Sequence, residues 1–377
     1  MNESEKITHI TTVHPRHDTR VFLKECVTLA SSGFRSQLVV ADGLGNAVIN
    51  GVSITDLGRP TGRLTRMLFY PILAWRAVRH SGPSIVHIHD PELLILALIL
   101  KATGYAVIYD AHEDLPRAVL SKTWINPALR GTVARTVERL EDYVARRVDA
   151  VVAATPHIAS RFKTIARRSV PVSNFPLEGE LLAPTNGVRD NRTFCYIGAI
   201  TRHRGAVEMV HATAAAGARL LLAGPLLEQG LQAELEALPE WGSVEYFGVV
   251  NRDEMRDLLA QSSAGLLFFR PEPNHTNALP NKLFEYLAAE VPVLCSDFPF
   301  WQSIIGSGAE AVGLSCDPTD SDAIADLMRQ IMADPAASRT MGERGRELVR
   351  SRFSWPTEAE RLLALYDALV GKTPAYQ

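Results

Sequence analysis

Short apolar runs alternate with longer amphipathic stretches along this 377-residue chain, and this alternation limits its fold more than any other feature. Runs such as "SIVHIHD" and "AVIYDAH" are almost continuously apolar, as expected for strands buried on both faces of a parallel sheet. The stretches between them, such as "RVFLKECVTLASSGF", have helical spacing and end near a glycine. Strand and helix in regular alternation predict an α/β fold with helices on both faces of each sheet.

The apolar runs fall into two sets with a polar stretch between them, and the chain is long enough for two domains. The polar stretch, "EGELLAPTNGVRDNR", has the composition of a linker. We predict an N-terminal domain over residues 1–177, a linker over 178–192 and a C-terminal domain over 193–355. The predicted strands are 7–13, 36–42, 84–90, 106–112 and 150–156 in the first domain, and 193–200, 219–225, 244–250, 264–270 and 291–297 in the second.

Composition excludes several classes of protein. The formal net charge of −3 gives no overall attraction to nucleic acid, so any attraction to anions is local. The N-terminal sequence lacks the basic start and apolar run of a signal peptide, and we expect a cytoplasmic protein. The cysteines are far apart in sequence and predict buried thiols in a reducing compartment rather than disulfides or a zinc site; they are Cys26, Cys195, Cys295 and Cys316.

Polar side chains follow three predicted strands of the first domain, where ligands of parallel α/β sheets bind. They occur in "HPRHDTR" (14–20), "HIHDPE" (87–92) and "DAHED" (110–114), and His112 directly ends an apolar run. One alternative is a solvated loop in which Asp18 or Thr19 caps the next helix. Another is a metal site, but no ligand spacing supports one and none is predicted; its ligands would come from His87, His89, Asp90, His112 and Glu113.

In the second domain, basic residues lie at two positions where an anion would bind. "GAITRHRG" (198–205) places Arg202 and Arg204 between glycines, and guanidinium groups suit phosphate. Lys282 begins the helical pattern "NKLFEYLAAE", where backbone N–H groups also favour an anion, and Glu285 lies one turn later. A solvated basic loop and an ordinary helix-surface ion pair are the alternatives. Together these residues predict a nucleotide site, with cations for a diphosphate and a carboxylate for ribose hydroxyls.

These segments resemble the retaining nucleotide-sugar glycosyltransferases of family 4, the group 1 glycosyltransferases. The resemblance covers nearly the whole chain and is strongest in "NALPNKLFEYLAAEVPVLCSDFPFW" (277–301). It implies the GT-B fold, in which two Rossmann-like domains with parallel sheets face each other across a cleft. It also implies that a helix over 356–377 packs back on the N-terminal domain.

The resemblance assigns roles to individual residues. Glu285 matches the second glutamate of the family's E-x7-E motif, which holds the donor ribose, and Asn277 stands at the first. Arg204 matches the basic residue that meets the diphosphate, and Arg202 would replace a second one, which is Ala199 here. The implied catalytic residues are His112, Asn277, Lys282 and Arg204, and the implied nucleotide-binding residues are Gly198, Arg202, Arg204, Gly248, Val249, Val250, Leu279, Lys282 and Glu285.

Two positions depart from the family pattern. The glycine-rich loop usual after the first strand is replaced by "HPRHDTR", so the N-terminal domain's contacts with phosphate or acceptor cannot be copied from the family. Glu290 stands where this branch usually has glycine, at the turn after the helix.

The implied reaction is retaining, metal-independent transfer of a sugar from a UDP- or GDP-sugar, with no other cofactor. The implied acceptor is a saccharide or a lipid-linked saccharide, as in synthesis of surface polysaccharide or glycolipid. Residues 58–80 mix arginines with aromatic residues, which suits the anionic inner face of the cell membrane. A helix buried on one side, with its arginines outside, is the alternative for this segment.

Two other functions stay open at this stage. A non-catalytic sugar-nucleotide-binding subunit is one, because Asn277 lacks the charge of the family's glutamate. A hexosamine epimerase on the GT-B fold is the other. A dinucleotide oxidoreductase is disfavoured, since no G-x-G-x-x-G follows the first predicted strand.

Overall fold

The computed structural model describes residues 5–120, 125–177, 179–182, 190–273 and 275–370. The chain divides into two compact units, one formed by residues 1–174 with 355–377 and the other by residues 175–354. The division lies just before the predicted linker, of which residues 178 and 183–189 fall outside the described ranges. Residues 371–377 of the predicted closing helix also fall outside them.

The first unit is built on one sheet that is parallel except at one edge. Its strands are β1 (Lys6–Ile10), β2 (Arg35–Val40), β3 (Ala47–Ile49), β4 (Val52–Asp56), β5 (Ile85–Ile88), β6 (Ala106–Ala111), β7 (Ala150–Ala153) and β8 (Ser169–Pro171). Over the described residues the strand order is β3-β4-β2-β1-β5-β6-β7-β8, and only β3 runs antiparallel to its neighbour. The helices are α1 (Val27–Ser31), α2 (Arg63–Ser81), α3 (Leu94–Ala102), α4 (Leu115–Leu120), α5 (Pro127–Ala145) and α6 (Pro156–Phe162), and a π-helical segment, Thr19–Cys26, leads into α1.

The second unit has an all-parallel sheet within its described residues. The strands are β9 (Thr193–Ile197), β10 (Arg219–Ala223), β11 (Val244–Tyr246), β12 (Ala264–Leu267), β13 (Val293–Ser296) and β14 (Gly313–Cys316), in the order β11-β10-β9-β12-β13-β14. The helices are α7 (Ala206–Ala216), α8 (Leu231–Glu236), α9 (Arg252–Gln261), α10 (Asn281–Ala288), α11 (Pro299–Ile305), α12 (Ser321–Ala333) and α13 (Pro335–Arg352). Chain order reverses at β9, which therefore lies at a topological switch point, where ligands of such sheets bind.

A last helix, α14 (Trp355–Val370), belongs to the first unit. Its Trp355 indole donates a hydrogen bond to the Thr28 hydroxyl at 2.9 Å. Tyr366 is fully buried, with its hydroxyl 2.6 Å from Nδ1 of His87. The helix is thus fixed to the first unit by buried aromatic residues with polar ends.

Each predicted apolar run contains a strand, and the parallel α/β architecture of both units is confirmed. Four strands were missed: β3, β4, β8 and β14. Three of them lie at sheet edges; β3 and β8 have only three residues each, and β4 and β14 contain polar residues, so their sequences carry little of the continuous apolar signal of a buried strand. Within the described residues, no helix has the length and apolarity needed to cross a bilayer.

Candidate functional site

The loop after β9 begins at Gly198 and ends in a tight turn at Gly205. Gly205 has a φ of +72°, and a Cβ there would lie 2.2 Å from the Phe268 carbonyl oxygen. Only glycine fits this turn, which brings the loop against the end of β12. The loop from Gly198 to Gly205 is therefore held at the carboxyl edge of the sheet, where the sequence predicts the diphosphate.

Arg204 lies on this loop, with its guanidinium near the Phe269 ring. Its guanidinium carbon is 5.1 Å from the centre of the Phe269 ring, and Nη1 is 3.4 Å from the Ala199 carbonyl oxygen. Among the described residues, no Asp or Glu oxygen lies within ion-pair distance of Arg204. Stacking on an aromatic ring orients a guanidinium without neutralising it, so Arg204 can attract an anion.

Arg202 has a different environment. Its guanidinium pairs with Glu228 and with Glu234, and its backbone N–H donates to Glu228 at 2.8 Å. Two carboxylates already surround this charge. The predicted phosphate contact of Arg202 stays a prediction, and the structure gives this residue a place in a surface ion-pair network.

Lys282 and Glu285 lie one turn apart near the start of α10. Lys282 Nζ is 2.8 Å from Glu285 Oε2. The helix buries its apolar residues Leu283 and Phe284, and Glu285 is buried with them at 6 % exposure. The lysine stem passes over Gly198, where a Cβ would lie 3.1 Å from Lys282 Cε. Gly198 thus leaves the space through which Lys282 reaches the carboxyl edge of the sheet.

Arg252 completes this group, and sequence reasoning missed it. Its Nη1 donates to Glu285 Oε1 at 2.7 Å, and its Nε donates to Glu180 Oε1 at 2.8 Å. Burial raises the pKa of Glu285, but the charges of Lys282 and Arg252 outweigh it and lower that pKa to about 2. No spacing rule could find Arg252, because it lies 33 residues from Glu285 in sequence.

Asn277 and Leu279 lie in the turn that precedes α10. Asn277 is exposed, and Leu279 is half-buried against the core of the second unit. The turn is held by Trp301, whose indole nitrogen donates to the Ala278 carbonyl oxygen at 2.8 Å. Trp301 is fully buried, so the turn has a rigid support. The tryptophan of "FPFW" thereby explains why Asn277 has a defined position.

The predicted nucleobase segment follows β11. Gly248 has a φ of +66°, and its carbonyl accepts a hydrogen bond of 2.6 Å from the Gly224 N–H. Val249 is 75 % exposed and Val250 is half-buried. The segment leads directly to Asn251, which caps α9 in a capping box with Glu254. The backbone of residues 248–250 is therefore fixed at both ends.

His112 lies in the first unit, at the carboxyl end of β6. Its side chain is 19 % exposed, and Nε2 is 3.1 Å from Asp110 Oδ2. Asp110 is fully buried and also accepts two hydrogen bonds from Arg20, at 2.9 and 3.0 Å. Burial raises the pKa of Asp110 and Arg20 lowers it, with the lowering dominant. An ionised Asp110 orients the imidazole of His112 and fixes which ring nitrogen carries the proton.

A buried polar network lies behind His112. Nδ1 of His9 is 2.9 Å from Nε2 of His89, and Nδ1 of His89 is 3.1 Å from Nε2 of His112. Burial lowers the pKa of His89 to about 4, so this imidazole is neutral at pH 7. Among the described residues, two groups have the composition of a metal site: His9, Glu25, His87 and His89; and His89, Asp110 and His112.

The contacts in this network favour hydrogen bonding over metal binding. Nδ1 of His9 and Nε2 of His89, 2.9 Å apart, form a hydrogen bond when one of them carries a proton. The Arg20 guanidinium lies 3.2 Å from Glu25 and 2.9 Å from Asp110, and it supplies the positive charge there. The absence of a metal, as the sequence analysis has it, stays a prediction for these groups.

Most polar residues of "HPRHDTR" and "HIHDPE" hold the first unit's loops in place. Asp18 caps the following helix by accepting from the backbone N–H groups of Arg20 and Val21, as in the alternative interpretation of this loop. Arg16 makes a paired contact with Asp42. Asp90 accepts hydrogen bonds from Thr11 and Thr12. His14 lies beside His112, with the two ring centres 4.9 Å apart.

Comparison with known families accounts for most of the chain. Residues 181–348 match the family described as "Glycosyl transferases group 1". Residues 19–177 match the family described as "Glycosyl transferase 4-like domain". The chain belongs to the group 1 glycosyltransferases. It is therefore a transferase that moves glycosyl groups, as the sequence predicts.

Relatives agree with this assignment. The chain is 23% identical over 309 residues to a glycogen synthase of Mycobacterium tuberculosis, covering 76% of this chain and 69% of that protein. It is 21% identical over 302 residues to the MMP alpha-(1->4)-mannosyltransferase of Mycolicibacterium hassiacum, covering 76% and 72%.

Solved structures show the same fold at low identity. The sucrose-phosphate synthase of Thermosynechococcus elongatus superposes with a TM-score of 0.77 at 17% identity, covering 98% of this chain and 100% of that one. Anabaena HepE in complex with UDP-glucose has a TM-score of 0.72 at 13% identity, covering 96% and 99%. The predicted GT-B fold of this glycosyltransferase is confirmed.

Proposed function

We propose that this glycosyltransferase transfers a sugar from a UDP- or GDP-sugar to a saccharide or lipid-linked acceptor, with retention of anomeric configuration. The observation that carries this proposal is the group formed by Arg204, Lys282 and Glu285 at the carboxyl edge of the second unit's sheet. Two cations and an ionised, buried carboxylate lie at the topological switch point, and they match the phosphate and ribose parts of a nucleoside diphosphate. The complex of Anabaena HepE with UDP-glucose supports a donor of this class.

The diphosphate is the leaving group, and its charge grows as the bond to the sugar breaks. Arg204 and Lys282 stabilise this charge, together with the backbone N–H groups at the start of α10. Lys282 has three N–H donors, so its bond to Glu285 leaves two for phosphate oxygens. In this scheme fixed cations stabilise the leaving group, and the reaction proceeds without a metal ion or another cofactor.

His112 and Asn277 position the transferred sugar in this proposal. The Asp110 carboxylate fixes the orientation of His112, and Trp301 fixes the turn that carries Asn277. The Asn277 amide hydrogen-bonds a sugar hydroxyl where the family more often has a carboxylate. The leaving phosphate itself takes the proton of the acceptor hydroxyl, because retention places the leaving phosphate and the incoming hydroxyl on the same face of the sugar.

A thermal-shift panel of UDP-, GDP-, ADP- and TDP-sugars tests the donor part of this proposal. A ligand that binds only the folded protein stabilises it by RT ln(1 + [L]/Kd), so a donor at a hundred times its Kd adds about 2.7 kcal/mol. We expect one or two of these compounds to raise Tm, and Arg204→Gln to abolish the rise. No rise with any of them would reject the proposed donor class.

A transfer assay separates the remaining alternatives. With the donor found in the panel and a mixture of saccharide acceptors, we expect release of the nucleoside diphosphate and a glycosylated product. Binding without turnover would identify a non-catalytic sugar-nucleotide-binding subunit. Release of an epimerised sugar without acceptor would identify an epimerase.

Helix α2 supports contact with an anionic membrane surface, which would bring this enzyme to a lipid-linked acceptor. Its outward face exposes Leu64, Leu68, Phe69 and Ile72 to extents of 75, 66, 59 and 51 %. Arg76 and Arg79 are exposed on the same helix, while Tyr70, Ala74 and Val78 face the core. Apolar residues among arginines match the interface of an anionic bilayer.

Co-sedimentation with vesicles tests this contact. We expect the protein to sediment with vesicles containing phosphatidylglycerol and to stay in solution with pure phosphatidylcholine, with less binding at high salt. Leu68→Ser should reduce binding, whereas Leu227→Ser, which changes a similarly exposed leucine of the second unit, should not. Equal sedimentation of the two variants would reject α2 as the contact.

A further inference from the structure

Arg252 is placed rigidly beside the predicted nucleobase segment. It is the first residue of α9, and the capping box of Asn251 and Glu254 fixes where this helix starts. The residues just before the cap are Gly248 to Val250. Arg252 therefore starts from the base-binding side of the proposed donor site, while its side chain reaches the ribose-binding side at Glu285.

The guanidinium of Arg252 holds two carboxylates at once. Nη1 lies 2.7 Å from Glu285 Oε1, and Nη2 lies 2.7 Å from Glu180 Oε1. The side chains of Glu285 and Glu180 are 8 and 19 % exposed and that of Arg252 is 34 % exposed, so these contacts are partly shielded from water. A planar guanidinium with donors in a fixed fork sets the direction of each carboxylate as well as its distance.

The carboxylate of Glu285 is consequently oriented by a hydrogen bond to each of its two oxygens. Oε1 accepts from Arg252 and Oε2 accepts from Lys282 at 2.8 Å. Each carboxylate oxygen has about two acceptor directions, so one on each oxygen remains for a ligand. Two such acceptors on one fixed carboxylate match the two neighbouring hydroxyls of a ribose. A deoxyribose offers only one hydroxyl there.

We propose that Arg252 is a positioning residue that aims Glu285 at the ribose and so makes the donor site select ribonucleotides over 2′-deoxyribonucleotides. This inference rests on the proposed function, because Glu285 must face the ribose for Arg252 to act through it. It extends that function by naming a residue outside the predicted site that sets the selectivity for ribose. Arg252 itself touches no reacting atom.

The test measures Kd by calorimetry for UDP, GDP and ADP and for their 2′-deoxy counterparts, using the pair in which the ribonucleotide binds most tightly. We expect the wild-type protein to prefer the ribonucleotide by about ten- to a hundred-fold, as for loss of a hydrogen bond to a charged group. Arg252→Gln should reduce this ratio to about threefold or less, as should Glu285→Gln. Arg256→Gln, which changes an arginine one turn later on α9, should keep the wild-type ratio.

The ratio of the two affinities is informative because, if Arg252 had only a structural role, its loss would weaken the binding of both nucleotides by the same factor. Arg252→Lys provides a second variant with its charge retained, and it should also lower the ratio, since an ammonium lacks the fork. If both Arg252 variants keep the wild-type ratio while Glu285→Gln loses the preference for the ribonucleotide, the positioning role of Arg252 is overturned and the ribose role of Glu285 stands. An unchanged ratio in Glu285→Gln would reject the ribose role of Glu285 and this inference with it. Absence of binding by the wild-type protein would reject the proposed donor site as a whole.

Discussion

Lys282 Nζ and Glu285 Oε2 lie 2.8 Å apart, the two residues being one turn from each other near the start of α10, with Gly198 beneath the lysine stem. The two residues that the sequence assigns separately to phosphate and ribose therefore form one electrostatic unit. Removing either one takes away an ionic partner that holds the other in its direction.

Lys282→Ala should lower turnover by about 10²- to 10³-fold, because it removes a fixed positive charge from the leaving diphosphate. Tm should fall by only a few degrees, since the lysine is at the surface and its ion pair is partly solvated. Initial rates and thermal melts measure the two effects. Lys101→Ala is the control, because Lys101 also forms a 2.7 Å ion pair, with Asp149, but lies in the first unit. Wild-type turnover in Lys282→Ala would contradict the proposed role.

Gly198→Ala should reduce turnover by about tenfold, because the new methyl group meets Lys282 Cε at 3.1 Å and displaces the lysine. Gly131→Ala is the matched substitution: nothing lies within 4 Å of the new methyl group, in the middle of α5. It should leave turnover unchanged and raise stability by up to about 1 kcal/mol. Donor titrations of initial rate compare the two variants, and equal turnover in both would show that Lys282 needs no such clearance.

The stability contributed by Glu285 should disappear in acid. Its folded-state pKa of about 2 lies below the ordinary value of 4.5, so its contribution is present above pH 4.5 and lost as pH falls toward 2. The shift corresponds to roughly 3 kcal/mol in the free energy of unfolding at pH 7. Urea unfolding of wild-type protein and Glu285→Gln at several pH values measures it. The difference between them should be constant from pH 8 to 6 and shrink below pH 5; a difference independent of pH would contradict the assignment.

Glu290→Gly should stabilise the protein by about 1 kcal/mol. Glu290 has a φ of +59°, a left-handed conformation that costs a residue with a side chain roughly 1–2 kcal/mol. The substitution also removes the 2.9 Å ion pair with Arg346, which is partly exposed and contributes at most about 1 kcal/mol. Ala289→Gly, with φ of −87° at the neighbouring position, should destabilise instead. Urea unfolding measures the free energy of unfolding of both variants and of the wild type. A Glu290→Gly protein less stable than the wild type would contradict this explanation.

The local part of the structure was predictable from sequence because its signals are local. Continuous apolar runs locate the buried strands, and parallel strands bring their carboxyl ends to one edge. Arg204, Lys282 and Glu285 were therefore expected near one another. Short edge strands such as β14 were missed because they lack that apolar signal.

Side-chain partners could not be predicted in the same way. The sequence treats Arg202 and Arg204 alike, two positions apart in "TRHRG", yet only Arg202 meets Glu228 and Glu234. In the first unit, the residues of "HIHDPE" suggested a ligand site, but Asp90 fixes a neighbouring loop instead.

The sequence by itself determined two parallel α/β units and a cationic edge beside a carboxylate, since periodicity and strand-end position are properties of neighbouring residues. Only the tertiary structure decided which cations remain available, that Arg252 orients Glu285, and that Asp110 orients His112. Those outcomes depend on contacts between distant segments and on burial. Both govern electrostatic energies, and neither is encoded in local spacing.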